Sequence, residues 1–262
     1  MVDFIQKDHY SVRDLATIVS ILRSPGGCPW DGEQTHLSLR RELLEECCEA
    51  IEAINESDPE HLKEELGDVL LQVVFHADIE KDAGRFDLDD VADGICKKMI
   101  FRHPHVFGDV KVSGTGEVLS NWEELKRKEK HQESYTDTLN SVARTLPGLW
   151  RAEKVQKKAK KAGFDWGECS PAMDKLSEEL GELREAIEDG SNIAEELGDL
   201  LFAAVNVSRF VDVDPEEALN GATEKFISRF AKVEQMARES GRDMAQMSLE
   251  ELEELWEMAK RT

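Results

Sequence analysis

Lys63-Glu64-Glu65-Leu66-Gly67-Asp68-Val69-Leu70-Leu71 is written a second time in the same chain, as Ala194-Glu195-Glu196-Leu197-Gly198-Asp199-Leu200-Leu201-Phe202. An upstream block is duplicated with it. Glu45-Glu46-Cys47-Cys48-Glu49-Ala50-Ile51-Glu52-Ala53-Ile54 parallels Glu178-Glu179-Leu180-Gly181-Glu182-Leu183-Arg184-Glu185-Ala186-Ile187. Glu49 precedes Glu65 by 16 residues, and Glu182 precedes Glu196 by 14. The match extends outward in both directions. Trp30 lies 16 residues before Glu46, and Trp166 lies 13 before Glu179. Lys98-x-x-x-Arg102 is matched by Lys225-x-x-x-Arg229, and Trp122-Glu123-x-x-Lys126 by Trp256-Glu257-x-x-Lys260. Landmarks repeated in one order mean two homologous units. They cover residues 1–130 and 140–262, with a polar linker over 131–139.

Apolar spacing sets the element type. Val12 to Leu22 is apolar at helical intervals, and Pro25-Gly26-Gly27 ends the run. Leu39 to Ile54 continues the pattern at positions 43, 47, 50, 51 and 54. Asn55 to Pro59 is a break. Glu60 to about Glu80 reads as the next helix, with Leu62, Leu66, Val69, Leu70, Val73 and Val74 turned inward. Asp87 to Arg102 reads as a fourth, capped near Asp87. Strand-like alternation occurs only near Val110 to Val112. The expected fold class is therefore all-α, with each unit a small helical bundle.

Composition limits the partners. The 262 residues carry a formal net charge of −23, and 34% of them are charged. Such a surface repels nucleic-acid polymers and anionic membranes, so neither is expected as a partner. A small phosphorylated ligand remains compatible, provided cations bridge the two anions. Five cysteines, two of them adjacent, give no disulfide framework and point to a reducing, cytoplasmic setting. No basic segment followed by an apolar core opens the chain. The run Val69 to Phe75 is far too short to span a bilayer.

The repeated acids have a defined placement. An α-helix advances about 100° per residue. With Cys47 as the centre of its helix's apolar stripe, Glu46 lies about 100° to one side and Glu49 about 160° to the same side. Glu65 and Asp68 stand at those angles from Leu66. In the second unit, Leu180 and Leu197 are the references for Glu179 with Glu182 and for Glu196 with Asp199. Each helix thus carries two acids one turn apart along one border of its core-facing stripe. Paired as an antiparallel hairpin, the helices bring four carboxylates together. Their mutual repulsion calls for a divalent cation, and an all-oxygen donor set favours Mg²⁺, Mn²⁺ or Ca²⁺ over zinc or copper. The alternative is a row of solvated surface acids on a non-enzymatic helical interaction module. A carboxylate-bridged di-iron centre fits poorly, because it wants Glu-x-x-His where Asp68 and Asp199 stand.

This motif set resembles the MazG family of nucleoside triphosphate pyrophosphohydrolases. The family signature is Glu-Glu-x-x-Glu followed, after a short connection, by Glu-x-x-Asp. Here it reads Glu45, Glu46, Glu49 with Glu65, Asp68, and again Glu178, Glu179, Glu182 with Glu196, Asp199. Cys28-Pro29-Trp30-Asp31 and Arg102-His103-Pro104-His105-Val106-Phe107-Gly108 resemble first-unit hallmarks. The resemblance implies an all-α homodimer that releases pyrophosphate from nucleoside triphosphates with Mg²⁺, or Mn²⁺ in its place. It implies that Glu179, Glu182, Glu196 and Asp199 are catalytic metal ligands, with Lys175, Glu178, Glu195, Lys225, Arg229 and Trp256 around the nucleotide. The second unit is expected to be the main catalytic one. By the repeat, Glu46, Glu49, Glu65 and Asp68 would hold metal in the first unit, and Lys98, Arg102 and Trp122 would face its nucleotide.

Other signals carry less. His103-x-His105 with Cys28 lacks the spacing of a zinc module. Cys47 sits on the apolar stripe and reads as packing. Lys157, Lys158, Lys160 and Lys161 read as a solvated helix face. Ser113-Gly114-Thr115-Gly116 does not join a strand to a helix, so it is no phosphate loop. Lys225 and Arg229 share a helix face suited to a phosphate chain or to surface ion pairs. Trp256 is suited to stacking on a base or to anchoring the last helix.

Overall fold

The structure is a computed structural model and describes residues 4–261. These contain thirteen α-helices and one 3₁₀ turn, with no strand. The chain divides into two compact units, Met1–Lys126 and Arg127–Thr262. The first contains α1 (Val12–Arg23), α2 (Pro29–Glu33), α3 (Arg40–Glu56), α4 (Pro59–Asp82), α5 (Leu88–Arg102) and α6 (Pro104–Phe107). Helix α7 (Thr115–Glu129) crosses the division. The second contains α8 (Tyr135–Asn140), α9 (Gly148–Lys161), α10 (Cys169–Asp189), α11 (Ile193–Phe210), α12 (Pro215–Glu239) and α13 (Leu249–Ala259). Helix α8 occupies part of the 131–139 stretch, capped by the Ser134 side chain on the Asp137 N–H.

Local chemistry explains the helix ends. Ser11 and Asp14 cap each other's backbone at the start of α1, and Asp87 and Asp90 do so for α5. Asp58 accepts from the N–H groups of Glu60 and His61, with Pro59 in the first turn of α4. Ser57 ends α3 in the left-handed region at φ 57°. The stretch around Val110 to Val112 forms no strand: residues 110–112 are irregular, between α6 and α7.

Both units are built on one plan. Antiparallel neighbours α3 and α4 form a tightly packed hairpin, and α1 packs on α4. In the second unit α10 and α11 form the hairpin and α9 packs on α11. Val19, Leu39, Val74 and Phe75 make the buried core of the first unit. Val233, Ala237, Leu255 and Ala259 join α12 to α13 in the second.

The inward face of the hairpins differs from the one read in the sequence. Glu65 is 8% exposed while Leu66 is 52% exposed, and Glu179 is 6% exposed while Leu180 is 43% exposed. Leu197 also faces outward. The seams are lined by small residues, Ala50 and Ala53 on α3, Ala186 on α10 and Ala203 on α11. Alanines let two helices approach closely. The side chains in register with them, Glu46 and Glu49 four residues before Ala50 and Ala53, are drawn into the seam. Glu65 and Glu179 therefore sit in the seam itself, the other acids lie along its edge, and the leucines turn to the far side.

Asp214 joins three segments. It accepts from Glu216 N at 2.9 Å, Glu217 N at 3.1 Å and Trp150 Nε1 at 2.8 Å. Burial opposes its charge. The Glu217 N–H, the Trp150 indole and the Glu216 N–H outweigh that and hold its pKa below the ordinary value. Asp214→Ala is expected to cost about 2 kcal/mol, from a lost helix cap and a lost tether to α9. Urea denaturation measures this. A lowered folded pKa means the difference from wild type is full at neutral pH and shrinks as pH falls through about 4.

Candidate metal and nucleotide site

In the first unit, Glu46, Glu49 and Glu65 each present a carboxylate oxygen, and these oxygens lie within 4.8 Å of one another. Two come from α3 and one from α4, so the hairpin assembles them. Asp68, one turn further along α4, adds its charge to the same place, raising both Glu46 and Glu65. Burial is the larger cause for both. For Glu46 the charges of Asp68, Glu49 and Glu65 follow; for Glu65 that of Glu49 follows, partly offset by His61. His61 Nε2 stands 3.2 Å from Glu65 Oε1. Glu65 Oε2 is buried with no hydrogen-bond partner among the described residues.

The second unit repeats the arrangement with one change. Glu179, Glu196 and Asp199 bring carboxylate oxygens within 4.8 Å. Glu182 stands beside them, hydrogen-bonded to Glu179; its own desolvation and then that contact push its pKa up. Lys175 Nζ lies 2.7 Å from both Glu178 Oε1 and Glu179 Oε1. Those two acids, Glu178 first, push the Lys175 pKa up, so it stays charged. Glu42 occupies the matching place in the first unit, four residues before Glu46. The basic group near the acids is thus a lysine on α10 in one unit and a histidine on α4 in the other. Glu195 is exposed on the first turn of α11.

Mutually repelling oxygen donors, with Glu65 and Glu179 buried and Glu65 Oε2 unpartnered among the described residues, suit a hard divalent cation. Nitrogen and sulfur donors are absent from both converging groups, which disfavours zinc or copper. The structure thus draws three acids of each set into direct proximity and leaves Glu182 and Asp68 alongside.

The basic and aromatic residues divide differently. Arg102 is buried, with its guanidinium 5.7 Å from the centre of the Trp122 ring, and Lys126 Nζ lies 5.4 Å from that ring. The Trp122 indole nitrogen is buried without a partner among the described residues. Lys98 is half-buried on the same helix as Arg102. Trp256 packs 5.1 Å from Phe226, against the α12–α13 core, and so anchors α13. Lys225 is exposed and Arg229 half-buried on the adjoining part of α12. Lys260 lowers the pKa of Glu257, next to Trp256, and Arg229 lies close enough to add a smaller effect in the same direction.

A cavity of about 500 Å³ opens beside the second acid set, with Lys175, Glu179 and Asp199 in its wall. Its far wall contains Gln156, Asp165, Trp166, Asn206 and Arg209. Of these, only Trp166 stands out in the sequence, as a repeat landmark. Gln156 had a readable signal, since it sits on the apolar face of a lysine-rich helix, between Ala152 and Ala159 at helical spacing. Asn206 and Arg209 had none, because a polar residue late in α11 looks like surface.

The model of the MazG nucleotide pyrophosphohydrolase domain matches twice, over residues 34–107 and 170–233. Each match contains one acid set. The chain belongs to the MazG family. It is 46% identical to a Thermotoga maritima protein named nucleoside triphosphate pyrophosphohydrolase/pyrophosphatase MazG, over 94% of each chain. It is 43% identical to the Escherichia coli K12 nucleoside triphosphate pyrophosphohydrolase, over 94% of this chain and 96% of that one. It is 50% identical to the uncharacterized Bacillus subtilis protein YabN, where it spans 51% of that longer protein. The matched MazG segments include Lys175, Lys225 and Arg229, but not Trp122, Trp256 or Gln156.

The raised pKa of Glu65 gives a signed prediction. A raised folded pKa means its ionised form opposes folding at neutral pH. Without divalent cations, Glu65→Gln is expected to melt higher than wild type near pH 7. The gain should disappear as pH falls through the carboxylate range, where the native Glu65 takes up its proton. Melting curves in EDTA across a pH series check this.

Proposed function

We propose that this chain hydrolyses nucleoside triphosphates, ribo and deoxy, to the monophosphate and pyrophosphate, with Mg²⁺ as cofactor and Mn²⁺ able to replace it. The observation that carries the reading is the acid set, assembled twice in helix seams and left short of positive charge. An interaction module would keep such acids solvated, whereas Glu65 is 8% and Glu179 6% exposed. The names of the Thermotoga and Escherichia relatives support the same activity.

The chemistry follows from the residue types. Glu179, Glu182, Glu196 and Asp199 would hold the metal in the second unit, and Glu46, Glu49, Glu65 and Asp68 in the first. Bound there, Mg²⁺ supplies neutralisation of phosphate charge and a more acidic water. The protein's own part is positioning and charge. Lys175 is held by Glu178 and Glu179 at the cavity wall, where its ammonium group faces an entering phosphate chain. Glu182, exposed and with a raised pKa, is the acid suited to take the proton of an attacking water. Lys225 and Arg229, one turn apart, offer two donors to the outer phosphates. Lys98 and Arg102 are their counterparts.

The second unit is the main catalytic one on this reading, because its acids border the cavity that contains Lys175. The enzyme works as a cytoplasmic homodimer in nucleotide-pool housekeeping. Free cysteines fit the compartment. No described helix is long and apolar enough to cross a membrane. The outward row of Leu180, Ile187, Leu197 and Leu201 is an apolar face that a second copy would cover.

Pyrophosphate release across a panel of NTPs and dNTPs with Mg²⁺ tests the activity. Asp199→Asn is expected to lower kcat roughly 10²-fold or more, and Asp68→Asn much less. Orthophosphate as the only product, or no product from any nucleotide, would sink the reading. Mg²⁺ should also raise the melting temperature of wild type, since it binds only the folded protein, and Glu179→Gln should shrink that rise.

A further inference from the structure

The wall of the cavity beside the second acid set is of two kinds. Part of it is Lys175, Glu179 and Asp199, the groups that take phosphate and metal on the hydrolase reading. Much of the rest is apolar, with Val155 and Ala159 from α9 and Phe202 and Ala203 from α11. A triphosphate chain is a polyanion and gains nothing from such a surface. A nucleoside does, and a volume of about 500 Å³ is enough to seat one.

One aromatic residue of that wall is not used by the fold. Trp166 lines the cavity and is 41% exposed. The other two tryptophans of this unit are held by their neighbours: Trp150 donates to Asp214 at 2.8 Å, and Trp256 packs on Phe226. Trp166 has no hydrogen-bond or ring partner among the described residues. A large ring left open beside apolar surface gains when something covers it.

The segment that carries Trp166 is nevertheless fixed. Helix α9 closes at Gly163, φ 83°, with the Gly163 N–H donating to the Lys160 carbonyl at 2.9 Å and the Phe164 N–H to the Ala159 carbonyl at 3.1 Å. Asp165 then turns inward. Its Oδ2 lies 2.6 Å from Arg209 Nη2, with both side chains buried, and 3.6 Å from Lys160 Nζ. The chain is thus pinned to α11 immediately before Trp166, while the Trp166 side chain stays open. A held backbone with an uncovered ring is a surface prepared for stacking.

Resting on the hydrolase reading above, we propose that this cavity seats the nucleoside of the triphosphate and that Trp166 stacks on its base. The phosphates then lead from the apolar part of the cavity to Lys175 and the acids. The Asp165–Arg209 pair acts through Trp166, as the positioning element of the seat.

The test is steady-state pyrophosphate release from ATP with Mg²⁺, with inorganic tripolyphosphate as a competitor that has phosphates and no nucleoside. Trp166→Ala is expected to raise KM for ATP roughly 10-fold or more. It should leave kcat, and the inhibition constant of tripolyphosphate, within about threefold of wild type. Trp166→Phe keeps a ring and should restore most of the lost affinity. An unchanged KM for ATP in Trp166→Ala overturns the assignment. So does a variant that weakens tripolyphosphate as much as ATP, because the ring would then shape the whole site and not the nucleoside seat. A second measurement needs wild type alone and decides if Trp166→Ala does not fold. Photolysis with 8-azidoadenosine triphosphate is expected to label the 163–168 segment or α11 near Phe202, and adenosine should protect both. Label confined to α12 and α13, or no label, overturns the seat. Each of these failures leaves the hydrolase reading standing. Wild type that releases no pyrophosphate from any nucleotide overturns both readings together.

Discussion

Carboxylates forced together in a helix seam are the constraint around which each unit is arranged. Glu46, Glu49 and Glu65, and likewise Glu179, Glu196 and Asp199, are closer than like charges settle by themselves. They are held there because Ala50, Ala53, Ala186 and Ala203 let the hairpin helices close, and closure carries the acids inward with the alanines. The rest of the hairpin is shaped by the same closure. Its leucines turn outward, its neighbouring helix packs on the second helix of the hairpin, and a basic side chain, His61 or Lys175, stands close to each set. One basic group is too little to balance four acids, which leaves the seam unlike a structural salt-bridge network.

The two units solve one further problem with exchanged charges. Ten residues after Asp68 comes Asp78, which pairs with Arg23 at 2.8 Å, both buried. Ten residues after Asp199 comes Arg209, which pairs with Asp165 at 2.6 Å, both buried. Each pair ties the acid-bearing helix to the end of the helix packed on it. Reversing the polarity changes what stands next to the pair. In the second unit the arginine is on α11 and can also hold Asn206; in the first unit the aspartate is on α4 and Phe75 fills the neighbouring space. One structural cross-link therefore has a different consequence for the adjoining cavity in each copy.

Much of this was legible in the chain. The repeat, the helices and the eight acids follow from spacing, because helical periodicity is local and acids one turn apart must share a face. The caps at Asp58 and Asp87 were equally local. The inward direction of the hairpin was not. A stripe centred on Leu66 and Leu180 is the more apolar choice, and an isolated chain reading takes the more apolar face as the buried one. Two helices can instead pack through small residues and leave larger ones for another surface, and nothing in a single helix distinguishes the two. The apparent strand near Val110 failed for the opposite reason: three alternating residues have no partner to pair with.

By itself the sequence determined that there are two units, that both are helical, and that each carries two pairs of acids, the members of each pair three residues apart, since all three are periodicities along the chain. Tertiary structure alone decided that one acid of each set, Glu65 or Glu179, is buried in the seam. It also decided that Lys175 reaches them in one unit and His61 in the other, and that a cavity lined by Gln156 and Asn206 adjoins the second set. Those depend on which faces meet across residues far apart in sequence, such as Gln156 and Phe202 or Asp165 and Arg209. Contacts of that range leave no period to read.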